Sequence, residues 1–125
     1  MASSQPLKGL RLLVVEDEAL VAMLVEDMLT DLGCIVVGIA GTVAKGICLA
    51  RSAELVLDGA VLDVNIGGEK VFPVAEALAA RGVPFIFATG YGAAGVEARY
   101  ADERVIAKPF QLRTLEQALV RLSRS

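Results

Sequence analysis

Four apolar stretches of this 125-residue sequence end in side chains that could carry chemistry. The first ends in Glu16 and Asp17, a later one in Asp63, another in Thr89 and the last in Lys108. Three carboxylates that meet at one place repel one another strongly unless a cation neutralises them or a proton is retained. Brought together, these residues would form a site of three carboxylates, a hydroxyl and an ammonium group.

The sequence contains no histidine, which removes several classes of active site. Nucleophilic triads of the Ser/His/Asp or Cys/His kind are excluded in their usual form, as is a histidine general base. Cys34 and Cys48 lie in apolar stretches without CxxC spacing, so a zinc site of ordinary composition is excluded and both thiols are predicted to be buried. Any chemistry must therefore depend on carboxylates.

A set of oxygen ligands without imidazole or thiolate favours Mg²⁺, which binds one or two carboxylates and completes its octahedron with water and phosphate oxygens. Asp63 is then a candidate nucleophile, because a carboxylate can attack phosphorus to give an aspartyl phosphate. Thr89 and Lys108 would bind the equatorial phosphoryl oxygens. Each of these residues alone is typical of an ordinary strand end or turn. It is their joint placement that favours a phosphoacceptor site.

Strand and helix patterns alternate along the chain and would place these residues at one edge of a sheet. Strands are predicted at residues 10–15, 35–37, 60–62, 84–88 and 104–107. Helices are predicted at residues 19–32, 43–51, 71–80, about 96–100, and 112–122. Strands separated by helices require crossover connections, and hence an α/β domain with a parallel sheet between two helical layers. Ligands of such sheets bind beyond the carboxyl ends of the strands.

Composition restricts the class of protein. Hydrophobic residues make up 55% of the chain and charged residues 22%, which fits one compact domain rather than a disordered chain. A pI near 4.9 argues against binding nucleic acid or membrane by charge alone. No signal peptide is apparent, and no apolar run approaches the roughly 20 residues that span a bilayer. We expect a cytoplasmic protein with a short polar lead at residues 1–8, a single domain at residues 9–125 and no output domain.

The sequence resembles the receiver domains of two-component response regulators over essentially its whole length. The resemblance rests on four motifs in the family's order: LLVVEDE at residues 12–18, AVLDVN at 60–65, FATG at 87–90 and AKPF at 107–110. It implies a flavodoxin-like fold with strand order 2-1-3-4-5. It also implies that a histidine kinase or a histidine phosphotransfer protein supplies the phosphoryl group.

The resemblance assigns a role to each matching residue. Asp17 would bind Mg²⁺ directly, Glu16 would bind it through water, and Asn65 would contribute its backbone carbonyl. Asp63 would ligate the metal and accept the phosphoryl group, which Thr89 and Lys108 would contact. Residues expected to act in switching or partner contact are Gly90, Tyr91, Val105, Pro109 and Phe110.

The stretch PFIFATGYG at residues 84–92 resembles a subgroup of single-domain receivers best known in alphaproteobacteria. The sequence departs from the commoner receiver pattern in two places. Val105 stands where many receivers carry a switching Tyr or Phe, and Gly67-Gly68 stands where a Pro-Gly turn is usual. Because Val105 has no ring to swing, we expect a signal to travel through the Tyr91 loop and the fourth predicted helix.

Three functions compete at this point. The first is a phosphoacceptor signalling protein, not an enzyme acting on other substrates, whose downstream target is another protein and which is a monomer or a weak dimer. The second is a small Mg²⁺-dependent phosphatase with an aspartyl-phosphate intermediate, although Asn65 stands where such enzymes need a second Asp. The third is a receiver-like docking module that needs no phosphate. Relay, phosphate sink and adaptor roles all fit the first.

Overall fold

The computed structural model of the chain describes residues 7–90, 96, 100 and 104–123. Its strands are β1 (Arg11–Val15), β2 (Ile35–Ala40), β3 (Gly59–Asp63), β4 (Asn65–Ile66), β5 (Glu69–Lys70), β6 (Phe85–Thr89) and β7 (Val105–Ala107). Its helices are α1 (Ala19–Asp31), α2 (Val43–Arg51), α3 (Phe72–Ala80) and α4 (Leu112–Ser123). No helix within these residues is long and apolar enough to cross a membrane.

Five strands form one parallel sheet in the order β2-β1-β3-β6-β7. Counted along the chain over the strands of this sheet alone, that order is the predicted 2-1-3-4-5, so the α/β fold class is confirmed. The numbering differs because β4 and β5 form a separate antiparallel hairpin after β3, which the sequence analysis missed. This hairpin lies in the loop that follows Asp63.

The two faces of the sheet bury two different sets of side chains. Because successive residues of a strand point to opposite faces, Leu13 and Val15 pack in one core with α2 and α3. Leu12 and Val14 pack in the other core with α1 and α4. The sheet is therefore covered on both sides, as its continuous apolar strands predict. The polar side chains of interest lie outside these two cores, at the edge formed by the carboxyl ends of the strands.

Several element boundaries differ from the predicted ones. Strand β2 continues through Gly38 to Ala40, although the glycine interrupts the apolar run. A Cβ atom on Gly38 would lie 3.2 Å from Leu49 Cδ1, so close packing accounts for the glycine. Leu7 is buried in the core on the α1 side, so the packed chain includes a residue of the predicted polar lead. The predicted helix at 96–100 lies largely outside the described residues.

The two cysteines differ in burial, which corrects one expectation. Cys34 is buried, and burial raises the pKa of its thiol to about 11. Cys48 is exposed, because the buried side of α2 is formed by Val43, Gly46 and Ala50. The apolar stretch around Cys48 is therefore a helix with one solvent-facing side.

Arg81 joins the end of α3 to the end of α2. Its guanidinium group donates hydrogen bonds to the carbonyl oxygens of Ala50 at 2.8 Å, Ser52 at 3.1 Å and Leu55 at 2.9 Å. These acceptors include carbonyls that a helix leaves without an intrahelical partner. The arginine thus fixes the loop between α2 and β3 to the end of α3.

We expect Arg81→Gln to lower the free energy of unfolding by about 1–2 kcal/mol, because three charge-assisted hydrogen bonds are lost from a partly exposed site. Urea denaturation measures this difference. Arg113→Gln, which removes an exposed arginine of α4, serves as the control and should change stability by less than about 0.5 kcal/mol. Equal stabilities for the Arg81 and Arg113 variants would contradict the assignment.

Candidate functional site

Lys108 lies between two carboxylates at the carboxyl edge of the sheet. Its ammonium nitrogen Nζ lies 3.1 Å from Oε1 of Glu16 and 3.3 Å from Oδ2 of Asp63. The Glu16 side chain is 4% exposed, that of Asp63 11% and that of Lys108 22%. Three of the residues singled out by the sequence therefore form one partly buried cluster.

The strands bring these residues together from distant parts of the chain. Glu16 follows β1, Asp63 ends β3, and these two strands are neighbours at the centre of the sheet. Lys108 follows β7 at the sheet edge, and its backbone N–H donates to the carbonyl oxygen of Thr89 at 2.9 Å. That bond joins Lys108, the residue directly after β7, to the last residue of β6. The amide N–H of Glu16 similarly donates to Ala40 at 2.9 Å.

Burial dominates the electrostatics of Glu16. It raises the pKa of this carboxyl group from 4.5 to about 7, and the negative charge of Asp63 acts in the same direction. The backbone N–H of Glu18, which donates to Glu16 Oε2 at 3.1 Å, and the Lys108 ammonium oppose the increase. For Lys108, burial lowers the pKa, but its bonds and charge interactions with Glu16 and Asp63 outweigh this, so the pKa lies above its usual value.

Asp17 is bound to the turn of the β4–β5 hairpin. The backbone N–H of Gly67 donates to Asp17 Oδ2 at 2.9 Å, and this bond is the main reason why the pKa of Asp17 is lowered. Gly67 and Gly68 have φ angles of 57° and 87°, a left-handed conformation that suits glycine at both positions of a tight hairpin turn. The two glycines therefore place a backbone donor beside Asp17.

The acidic residues after β1 are grouped closely enough to hold a cation. Carboxylate oxygens of Glu16, Asp17 and Glu18 lie within 4.8 Å of one another. Glu18 was not among the predicted ligands, although its position directly after Asp17 is visible in the sequence. Asp63 is not a member of this group, and its contact is with Lys108. The all-oxygen donor set fits Mg²⁺. Ligation by Asp63 and by the Asn65 carbonyl stays a prediction.

The other predicted residues occupy different surroundings. Thr89 is buried at the end of β6, with 1% of its surface exposed, and Gly90 is exposed. Val105 pairs with Phe87 between β7 and β6 and is half-buried. Tyr91 lies outside the described residues. The side chain of Asn65 accepts a hydrogen bond from Lys70 Nζ at 2.7 Å, a pair that the sequence analysis missed.

This fold and its site can be compared with known proteins. No protein-family model matches the sequence, and no curated protein matches it either. Among solved structures, SdrG from Sphingomonas melonis Fr1 is 48% identical, with a TM-score of 0.77 over 91% of this chain and 96% of that one. The BeF3-activated conformation of SdrG, from Pseudomonas melonis Fr1, is 46% identical, with a TM-score of 0.75 over 90% and 95% of the two chains.

A response regulator receiver protein from Sinorhizobium medicae WSM419 has the same fold, with a TM-score of 0.77 over 95% of this chain and 98% of that one, at 23% identity. This chain belongs to the response regulator receiver family. In this receiver the Lys108 ammonium contacts the carboxylates of Glu16 and Asp63, and the Lys108 backbone N–H donates to the Thr89 carbonyl oxygen.

This receiver has an aromatic cluster beside the strand that carries Thr89. The ring of Tyr100 lies 4.8 Å from that of Phe87 and 5.7 Å from those of Phe72 and Phe85. The sequence analysis considered position 105 and Tyr91 for a switching aromatic ring and did not single out Tyr100, because the contacts of Tyr100 with these phenylalanines join distant parts of the chain. Val105 packs against the same core.

An apolar groove lies next to the site of this receiver. It measures about 260 Å³ and runs between α1 and the segment after β7, lined by Val21, Leu24, Val25, Met28, Lys108, Pro109 and Phe110. On the same helix Leu20 is 81% exposed and Leu24 is 55% exposed. Pro109 and Phe110, which were predicted as partner contacts, therefore lie on an apolar surface that reaches Lys108.

Proposed function

We propose that this receiver accepts a phosphoryl group on Asp63 from the phosphohistidine of a histidine kinase or a histidine phosphotransfer protein, and signals by binding another protein in the cytoplasm. The observation that carries the proposal is the Lys108 ammonium held between Glu16 and Asp63, at 3.1 and 3.3 Å. A fixed cation at this place compensates the negative charge that a phosphoryl group adds to Asp63.

The transfer exchanges one bond to phosphorus for another. A carboxylate oxygen of Asp63 attacks phosphorus while the bond between phosphorus and the donor's imidazole nitrogen breaks. The imidazole leaves with the bonding electron pair and takes up a proton, and Asp63 becomes an acyl phosphate. Lys108 then exchanges its contact with Asp63 for a phosphoryl oxygen, and the Thr89 hydroxyl donates to another.

The acidic group beside Asp63 suits a magnesium ion. Mg²⁺ supplies charge neutralisation for the phosphoryl oxygens when it is bound. Asp17 and Asp63 would hold it directly, Glu16 through water and Asn65 through its carbonyl. The donor set supports this assignment because the clustered acidic residues Glu16, Asp17 and Glu18 offer carboxylate oxygens, the ligand type that Mg²⁺ prefers.

The apolar groove beside α1 supports a protein as the phosphoryl donor rather than a small molecule. Leu20 and Leu24 are exposed, and their burial by another protein would be energetically favourable. Because Lys108 lines the groove as well as contacting Asp63, a protein seated there would lie beside the phosphoacceptor. The same face would bring a donor's phosphohistidine to the site.

Intact-protein mass spectrometry after incubation with acetyl phosphate and Mg²⁺ tests the proposal. We expect one phosphoryl adduct per chain, which disappears when EDTA replaces Mg²⁺. Turnover of ordinary phosphomonoesters in the same buffer would favour the phosphatase instead. Absence of any adduct, together with absence of beryllofluoride binding, would overturn phosphoacceptance and favour a docking module that needs no phosphate.

A further inference from the structure

We propose that Lys70 is a second cation for the phosphoryl group, whose ammonium moves from Asn65 to a phosphoryl oxygen once Asp63 is phosphorylated. This inference rests on the proposed function and extends it by one binding residue. In the structure, Lys70 Nζ donates to Asn65 Oδ1 at 2.7 Å. Lys70 belongs to the β4–β5 hairpin, not to a motif of the sequence.

The backbone places Lys70 within reach of the phosphoacceptor. Val64 is fully buried and the chain bends there, whereas Asp63 and Asn65 on either side of it are partly exposed. Lys70 is the cross-strand partner of Asn65 in the hairpin. Such partners lie about 5 Å apart, and two residues of a chain span at most about 7 Å, so the lysine side chain can reach a group on Asp63.

The hairpin is fixed to the site at two points. Gly67 N–H donates to Asp17 Oδ2 at 2.9 Å, and Val71 N–H donates to the Val64 carbonyl at 2.9 Å. Neither bond involves the Lys70 side chain. A change of lysine rotamer is thus enough to transfer the ammonium, and the backbone around Asp63 need not move.

The charges favour this transfer after phosphorylation. The present acceptor of Lys70 is a neutral amide oxygen, and no carboxylate among the described residues pairs with this lysine. A phosphoryl group offers negatively charged oxygens, to which an ammonium forms shorter and roughly twofold stronger hydrogen bonds. Lys108 already contacts Asp63 from the side of Glu16, so Lys70 would approach from the hairpin side.

Binding of beryllofluoride, a mimic of the phosphoryl group, tests this role without a covalent step. The dissociation constant in Mg²⁺ is measured by NMR titration of backbone amides in the wild type and in three lysine variants. We expect about tenfold weaker binding for Lys70→Gln, from the loss of one charge-assisted hydrogen bond, and less than about threefold weaker binding for Lys70→Arg. Lys45→Gln, which removes an exposed lysine of α2, is the control and should bind like the wild type.

The same comparison in an Asn65→Ala protein separates direct contact of Lys70 with the phosphoryl group from an effect that acts through Asn65. If Lys70 binds the phosphoryl group itself, the loss caused by Lys70→Gln persists when Asn65 is replaced by alanine. Disappearance of that loss in Asn65→Ala, or equal dissociation constants for the wild type and Lys70→Gln, would overturn the role of Lys70. Failure of the wild type to bind beryllofluoride would instead overturn the proposed phosphoacceptance, and the lysine's role with it.

Discussion

Replacing Asp63 by asparagine is expected to abolish the phosphoryl adduct while leaving the fold intact. A neutral amide oxygen does not displace the donor to form an acyl phosphate, so no adduct should be detectable by mass spectrometry with acetyl phosphate and Mg²⁺. The stability change should be about 1 kcal/mol or less, because the lost ion pair with Lys108 is offset by weaker repulsion of Glu16.

Asp31→Asn provides the matched control for this loss. Asp31 is an exposed residue at the end of α1, so the same chemical change there should leave the adduct unchanged. Circular dichroism and urea denaturation of both variants check that each remains folded. An adduct on Asp63→Asn at the wild-type level would show that another residue accepts the phosphoryl group. Loss of folding would show that Asp63 acts chiefly in stability.

The second large effect concerns the pH dependence of stability through Glu16. The pKa of this carboxyl group is 4.5 ordinarily and about 7 in the folded protein, so the fold favours its protonated form. The resulting contribution to stability is complete below pH 4.5 and is lost as the pH rises through about 7. The difference between the ordinary and the folded-state pKa of Glu16 corresponds to about 3 kcal/mol of folding stability.

Urea denaturation in EDTA between pH 4 and 8 measures this contribution by comparing the wild type with Glu16→Gln. The glutamine imitates the protonated carboxyl group at every pH. We expect the two proteins to differ little near pH 4, and the variant to become the more stable one by up to about 3 kcal/mol at pH 8. A constant difference across this range would contradict the assigned pKa of Glu16.

Much of the fold follows from periodicity in the sequence. The helix predicted at residues 43–51 coincides with α2, because Thr42 caps it by accepting from the Lys45 N–H and its apolar positions face α3. The continuous apolar runs of β1, β3 and β6 mark them as central strands covered on both faces. Since parallel strands end at one edge, the meeting of Glu16, Asp63 and Lys108 also follows from the order of elements.

The hairpin at residues 65–70 could not be predicted in the same way. Its strands have two residues each, too few to give a period, and its Gly67-Gly68 turn resembles an ordinary loop in the sequence. The bonds from Gly67 to Asp17 and from Lys70 to Asn65 depend on where that turn folds back in three dimensions. Local sequence therefore predicted which side chains carry charge at the site, but not the contacts that the loop after Asp63 makes.

The contact between Lys108 and Glu16 joins residues that are 92 positions apart in the chain. During synthesis Glu16 leaves the ribosome long before Lys108 exists, and the strands between them pair at the cost of long loop closures. In a nascent chain that stops before β7, Glu16 and Asp63 have no lysine between them, and their carboxylates are left to repel each other. The contact of Lys108 with Asp63, on which the proposed phosphoacceptance depends, can therefore form only when the last strand joins the edge of the sheet.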